Sequence, residues 1–304
     1  EGQPVPRGLD EDVSILQEPL QNIYLVASGV MDMFASVDAV DQIRFSGQKQ
    51  ENWYIQTAKD AMAAGDMIYA GKYSKPDYEL LVSEGCDLAI ENRMITHSPE
   101  VVEMLQSFDI PVMIEYSSYE QHPLGKVEWV KFFGALTGKE AEAEEAFAEQ
   151  TEILEKVESG EKTGKTIAFF YVTSNGLIQV RQSTDYIPKL IELAGGRYIF
   201  EDLEDSGSGR STLNMQVEDF YAGARDADIL IYNSSIDGGV TTLDELIGKC
   251  NILKDFKAVQ EGQVYCTTND MYQQSMAIGY LLQDMHTVLT DDDTAKLRYL
   301  FLLQ

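Results

Sequence analysis

Residues that can stack on, hydrogen-bond or pair with a bound molecule recur in this sequence just behind short apolar runs. Ile43–Ser46 is followed by a polar stretch from Gly47 that ends in Trp53 and Tyr54. Leu88–Ile90 is followed by Glu91, Asn92, Arg93, Met94 and His97, and Val112–Ile114 by Tyr116, Ser117, Ser118, Tyr119, Glu120 and His122. In the second half, Thr173-Ser174-Asn175, Asn233-Ser234-Ser235 and Thr268 through Tyr272 hold the same kind of position. Rings, amides and hydroxyls hold a ligand by stacking and hydrogen bonds and offer little for proton transfer. In open α/β sheets such groups lie beyond the carboxyl ends of strands, where ligands bind.

Cations are scarce, so Arg93, Arg181 and Arg210 near these loops stand out. Ser206–Thr212 sets Arg210 among glycines and hydroxyls, a composition suited to an anionic group. Glu91, His97, Glu120 and His122 form an alternative set, hard oxygens and imidazoles that would bind a metal ion directly if they converged. Gly160–Thr166 is one residue short of a phosphate loop and precedes a strand instead of a helix, so it reads as a solvated turn. No GxGxxG, HExxH or GxSxG motif occurs, and nothing marks a catalytic triad.

The chain has 304 residues, with 51 acidic and 23 basic side chains and a net charge of −28, which disfavours nucleic acid and anionic membrane surfaces. It has 44% hydrophobic residues, ordinary for a globular protein, and its length suits two domains. Cys86, Cys250 and Cys266 lack CxxC spacing and read as free thiols. No apolar run is long enough to span a membrane. The chain opens at Glu1-Gly-Gln-Pro-Val-Pro without a basic, apolar leader, so any export signal is expected to have been removed.

The elements that must position these residues alternate. Ile23–Ala27, Ile43–Ser46, Leu88–Ile90 and Val112–Ile114 read as short strands separated by helical stretches at 30–40, 78–83 and 99–107. Thr166–Val172, Ile229–Tyr232 and Val264–Cys266 repeat the pattern, with a helix at 186–194 and closing helices at 276–289 and 294–303. Between the halves, 138–159 is rich in Ala and Glu and has no Pro or internal Gly, which predicts one long helix with Gly160 as its stop. The halves also echo each other, each with an acidic helix start, a helix, an Asp and a buried strand: Glu79 with Asp87, then Glu218 with Asp228.

On these phrases the sequence resembles the class III periplasmic-type binding proteins of ABC importers, the group serving iron–siderophores, haem and cobalamin. The matching stretches are Ile23–Ala35 with Ser28 and Asp32, Pro76–Glu79 through Ile90, Leu105–Val112, Leu136–Glu140, Leu193–Gly196 with Ile199-Phe200, and Ala258–Tyr265. The resemblance implies two Rossmann-like α/β lobes joined by a single long helix, with a ligand cleft between the lobes. The expected division is a flexible lead at 1–22, an N-terminal lobe at 23–138, a bridging helix at 139–160 and a C-terminal lobe at 161–304. It implies a solute receptor with no catalysis and no intrinsic cofactor, carrying an iron siderophore, haem or similar metal chelate. Trp53, Tyr54, Tyr116, Tyr119 and Tyr272 would hold the solute, and Arg93 or Arg210 would pair its anionic groups. Siderophore and tetrapyrrole both fit. It further implies a monomer that docks on an ABC permease dimer through Glu79 and Glu218, with Asp219 as the rival of the latter. Such proteins are exported, either periplasmic or, in Gram-positive bacteria, anchored at the cell surface as lipoproteins through an N-terminal Cys absent here. A direct metal-ion receptor and a two-lobed enzyme acting on a tetrapyrrole or metal cluster are the competing expectations.

Overall fold

The computed structural model describes residues 6–10, 13–17, 19–203, 211–234, 239–292 and 294–304. The chain forms two compact units: 1–118, 128–148 and 273–276 make the first, and 119–127, 149–272 and 277–304 make the second.

The first unit opens with β1 (Ile23–Leu25), α1 (Val30–Ser36), β2 (Ile43–Ser46), α2 (Gln56–Ala64) and β3 (Ile68–Tyr69). A small hairpin of β4 (Gly71–Lys72) and β5 (Lys75–Pro76) leads to α3 (Tyr78–Ser83), β6 (Leu88–Glu91), α4 (Pro99–Ser107) and β7 (Val112–Ile114). The order β3-β2-β1-β6-β7 is parallel throughout. Buried parallel strands read as unbroken apolar runs, which is how Ile23-Tyr24-Leu25, with every residue buried, announces itself. Asp77 starts α3 by accepting the Leu80 N–H, and Pro99 starts α4, where its missing N–H costs nothing.

Two helices follow, α5 (Pro123–Thr137) and α6 (Glu140–Glu158). The 19-residue α6 is the long helix expected from its Ala and Glu content. It is not alone: α5 precedes it and ends at Gly138, whose φ of 69° is the left-handed stop. A Cβ on Gly134 would lie 2.5 Å from the Ala143 Cβ, so the glycine lets α5 and α6 touch. Gln150, the polar interruption of the apolar face of α6, is buried and accepts the Gly279 N–H at 2.9 Å.

The second unit contains β8 (Thr166–Val172), β9 (Ile178–Arg181), α7 (Tyr186–Leu193), β10 (Arg197–Tyr198), β11 (Thr212–Met215), α8 (Val217–Ala224) and β12 (Ile229–Tyr232). It closes with α9 (Leu243–Lys249), α10 (Lys257–Gln260), β13 (Val264–Thr267), α11 (Ile278–Thr290) and β14 (Leu300–Leu302). Its sheet runs β11-β9-β8-β12-β13-β14, with β10 beside the start of β8. The strands β8, β10, β12 and β13 are parallel; β9 and β14 run against them, and β11, antiparallel to β9, runs with β8.

The closing helix expected at 294–303 is corrected. After a short 3₁₀ turn at Thr294–Lys296, Leu300–Leu302 pairs with β13 as an edge strand. The buried Asp284 carboxylate accepts the N–H groups of Arg298, Tyr299 and Leu300 at 2.6–3.0 Å, which holds this backbone out of a helix.

The echo between the halves has a structural cause. Asp87, just before β6, accepts the backbone N–H groups of Gln21 and Asn22 that lead into the neighbouring β1. Asp228, just before β12, accepts the N–H and hydroxyl of Thr166 at the start of the neighbouring β8. Each aspartate clamps the entry of the strand beside its own.

Candidate functional site

In the first unit the end of β2 is organised by Ser46. Its hydroxyl donates to the Gln48 carbonyl at 2.6 Å and accepts the Trp53 indole N–H at 3.0 Å. Trp53 is fully buried, so in this structure its ring packs in the interior and has no exposed face. Tyr54 beside it is exposed, with Lys59 Nζ 5.9 Å from its ring centre. The Gln273 side chain pins this loop, accepting the Tyr54 N–H and donating to the Asn52 carbonyl, both at 2.8 Å.

The end of β6 carries Glu91, which is fully buried with neither carboxyl oxygen hydrogen-bonded. Burial pushes this group up to about 8. A 3₁₀ turn over Arg93–His97 follows, capped by Asn92, which accepts the Met94 N–H at 2.8 Å. Arg93 is partly buried, Met94 and His97 are exposed, and Ile95 anchors the turn in the interior. At the end of β7, Glu115 is buried and accepts the N–H and hydroxyl of Ser117, and Tyr116 stays exposed.

In the second unit Tyr119 is exposed, and His122 Nδ1 accepts the Leu124 N–H near the start of α5. A dense polar cluster centres on Arg181, at the end of β9. Its guanidinium donates to the Tyr272 hydroxyl, approaches Asp185 Oδ2 at 3.4 Å and lies over the rings of Phe169 and Tyr272 at 5.8 and 5.6 Å. The Tyr198 hydroxyl bonds the Arg181 backbone on both sides. Asn233, just past β12, donates to the Tyr272 hydroxyl at 2.6 Å. Asp185 also caps α7, whose first residue, Tyr186, lies 4.3 Å beneath Lys126 Nζ. Burial works against the charge of Arg181, but Tyr272 and Asp185 outweigh it, so the guanidinium stays cationic. Burial raises the Tyr272 phenol, which stays protonated. The arrangement is a buried cluster of phenols and two cations against one carboxylate, with Tyr272 half-buried at its edge.

Arg210 lies outside the described residues. Among the described residues no three His, Cys, Asp or Glu side chains come together in a way that would hold a metal ion. Of the alternative direct-metal set, Glu91 is closed inside the first unit, where His97 is exposed, and in the second unit Glu120 is half-buried and His122 accepts a backbone N–H. Glu79 and Glu218 are both exposed, each in the first turn of its helix, with Asp219 exposed beside Glu218. The Arg181–Asp185 pairing carried no helical i,i+4 signal, because Arg181 ends β9 and Asp185 caps α7. Lys126 gave no signal, because a lone Lys in an apolar helix usually reads as surface.

The sequence matches the family described as "Periplasmic binding protein" over residues 26–271. An uncharacterized lipoprotein of Methanocaldococcus jannaschii is 25% identical over 92% of this chain and 68% of its own length. A second lipoprotein of that organism is 27% identical over 70% of this chain and 55% of its own, so the chain spans only part of these relatives. Among solved structures, the periplasmic heme binding protein HutB of Vibrio cholerae superposes with a TM-score of 0.69 at 14% identity, covering 88% of this chain and 98% of that one. A possible iron-binding solute-binding protein of Staphylococcus epidermidis gives 0.67 at 17% identity, with coverage of 88% and 98%. The periplasmic vitamin B12 binding protein BtuF of Vibrio cholerae gives 0.61 at 14%, with coverage of 91% and 99%. At such identities the likeness speaks to the fold alone, and that fold is the α/β, two-lobed binding-protein type.

Proposed function

Because this chain belongs to the periplasmic binding protein family, whose members bind substrates and are not enzymes, we propose that it is the extracytoplasmic solute receptor of an ABC importer. Its solute is an iron complex, a siderophore or haem, or a related chelate such as cobalamin. The match over residues 26–271 carries this reading, and the names of the structural neighbours point to the solute class. The Arg181–Tyr272 cluster fits such a solute, since ferric siderophores and haem bring carboxylate or other anionic groups on flat, partly apolar bodies. The exposed Tyr54, Tyr116 and Tyr119, with Arg93 and Arg210, are the remaining proposed contacts.

Among the described residues no helix is long and apolar enough to cross a membrane. Tethering as a lipoprotein follows the habit of the archaeal relatives and is part of the proposal. The receptor acts as a monomer and docks on a permease dimer through Glu79 and Glu218, exposed carboxylates that steer a basic partner surface.

A thermal-shift screen with haemin, cyanocobalamin and a panel of ferric siderophores tests the solute class. A ligand at 100 times its Kd stabilises the native chain by about 2.7 kcal/mol. One member of the panel should raise the unfolding temperature in a concentration-dependent way; a flat response to all of them would overturn the assignment.

A further inference from the structure

Glu91 ends β6 at the place where the first sheet changes direction, from β3-β2-β1 on one side to β6-β7 on the other. Its side chain is wholly buried and neither oxygen has a hydrogen-bond partner. The surroundings offer no compensation. Tyr24 of β1 and Tyr78 of α3 feel its charge, and the Tyr24 hydroxyl already donates to the Gly71 carbonyl at 2.9 Å. Behind them Tyr69 and Cys86 act on Tyr24, and Glu100 of α4 acts on Tyr78. From β7 the residue in register is Ile114, and the next residue, Glu115, is occupied by Ser117. Each of these titratable neighbours is itself an acid. An unpaired carboxylate in such a setting is too costly to persist, and the group takes a proton instead. Burial accordingly pushes it up to about 8.

We infer that Glu91 is a neutral carboxylic acid in the native chain at neutral pH, and that its ionisation loosens the strand-end turn at 92–98 that presents Arg93. The connection is short. The Glu91 carbonyl accepts the Glu115 N–H at 2.9 Å, tying β6 to the end of β7. Immediately beyond it come the Asn92 cap, the Thr96-to-Arg93 bond at 2.9 Å and the buried Ile95. A new carboxylate reaches water most readily through this turn, because the residues before it are enclosed in the sheet. Alkaline pH thus disturbs one rim of the strand-end surface and leaves the Arg181 cluster of the second unit alone.

The folded value lies above the ordinary 4.5, so the stabilising contribution is full below 4.5, fades as pH rises and is gone above about 8. Unfolding by urea from pH 5 to 9, on the ligand-free chain and on Glu91→Gln, reads this without any assumption about the solute. The wild type should lose stability across that range relative to Glu91→Gln. Hydrogen exchange at 92–98 should rise more in the wild type than in the variant at pH 9. The infrared C=O stretch of a protonated carboxyl at pH 6.5 should vanish in the variant. If Glu91→Gln does not fold, Glu91→Met, of similar length and without charge, takes its place. Parallel pH profiles for wild type and variant, or an infrared spectrum unchanged by the substitution, would overturn the inference.

Discussion

Arg181 shows how one buried side chain ties a local fold together. It is almost buried, as is Asp185 opposite it, with side-chain exposures of 10% and 2%. Arg181→Ala leaves the Asp185 carboxylate buried without its cation, and breaking such a pair costs about 3–5 kcal/mol. Arg181→Lys keeps the charge but loses the planar contact with Phe169 and Tyr272, and should recover only part of that. Tyr272→Phe removes the shared acceptor of Arg181 and Asn233 and should cost about 1–3 kcal/mol. Urea denaturation at pH 7 ranks the three variants. Equal stability for Arg181→Ala and wild type would show that the cluster does not hold the unit together. Asp228 adds a pH effect of the opposite sign to that of Glu91. Burial raises it, but bonds from Lys257 and Thr166 outweigh burial and hold it below the usual carboxylate range. Its contribution is present above the ordinary 3.8 and is lost as pH falls through the depressed value. Acid unfolding of Asp228→Asn should therefore be less steep below pH 4 than that of the wild type, and an identical acid limb would contradict this.

At the scale of elements, β14 depends on a remote side chain. Asp284→Ala would strip three backbone N–H groups of their acceptor, for an expected loss of about 2–3 kcal/mol and faster hydrogen exchange at 298–302. Unchanged exchange there would mean that pairing with β13 alone fixes the strand. The same contact explains why this strand was not legible in the sequence: Leu, Ala and Lys around 294–303 favour a helix locally, and only a partner strand and a distant carboxylate override them. The buried parallel strands were legible because burial on both faces leaves an apolar run, as in Ile23–Leu25, Thr166–Val172 and Ile229–Tyr232. No helix was expected at 123–137, where Gly125 and Gly134 lower the local helix propensity, and Gly134 admits Ala143. Around the candidate site, polar residues at strand ends were legible as a class. Their individual roles were not, because an aromatic residue has the same sequence signature in a core, as Trp53 is, and on a surface, as Tyr54 is.

For the whole molecule, the net charge of −28 sets expectations about environment and partners. Self-repulsion at that charge destabilises the compact state, so the unfolding midpoint should rise as salt screens it over the first few tenths molar. A midpoint that falls with salt would show that attractive pairs dominate instead. The same charge suits a receptor that meets basic surfaces on a permease: Glu79→Lys with Glu218→Lys should abolish uptake in cells and leave solute affinity intact, whereas normal uptake would remove both residues from the docking surface. The most direct test of the receptor assignment is equilibrium titration of the purified chain with haemin, cobalamin and ferric siderophores of catecholate and hydroxamate type. The account predicts that one of them saturates at one molecule per chain with a Kd of about 1 μM or tighter, and that Arg181→Lys weakens that binding. Absence of saturable binding by every member of the panel would contradict it.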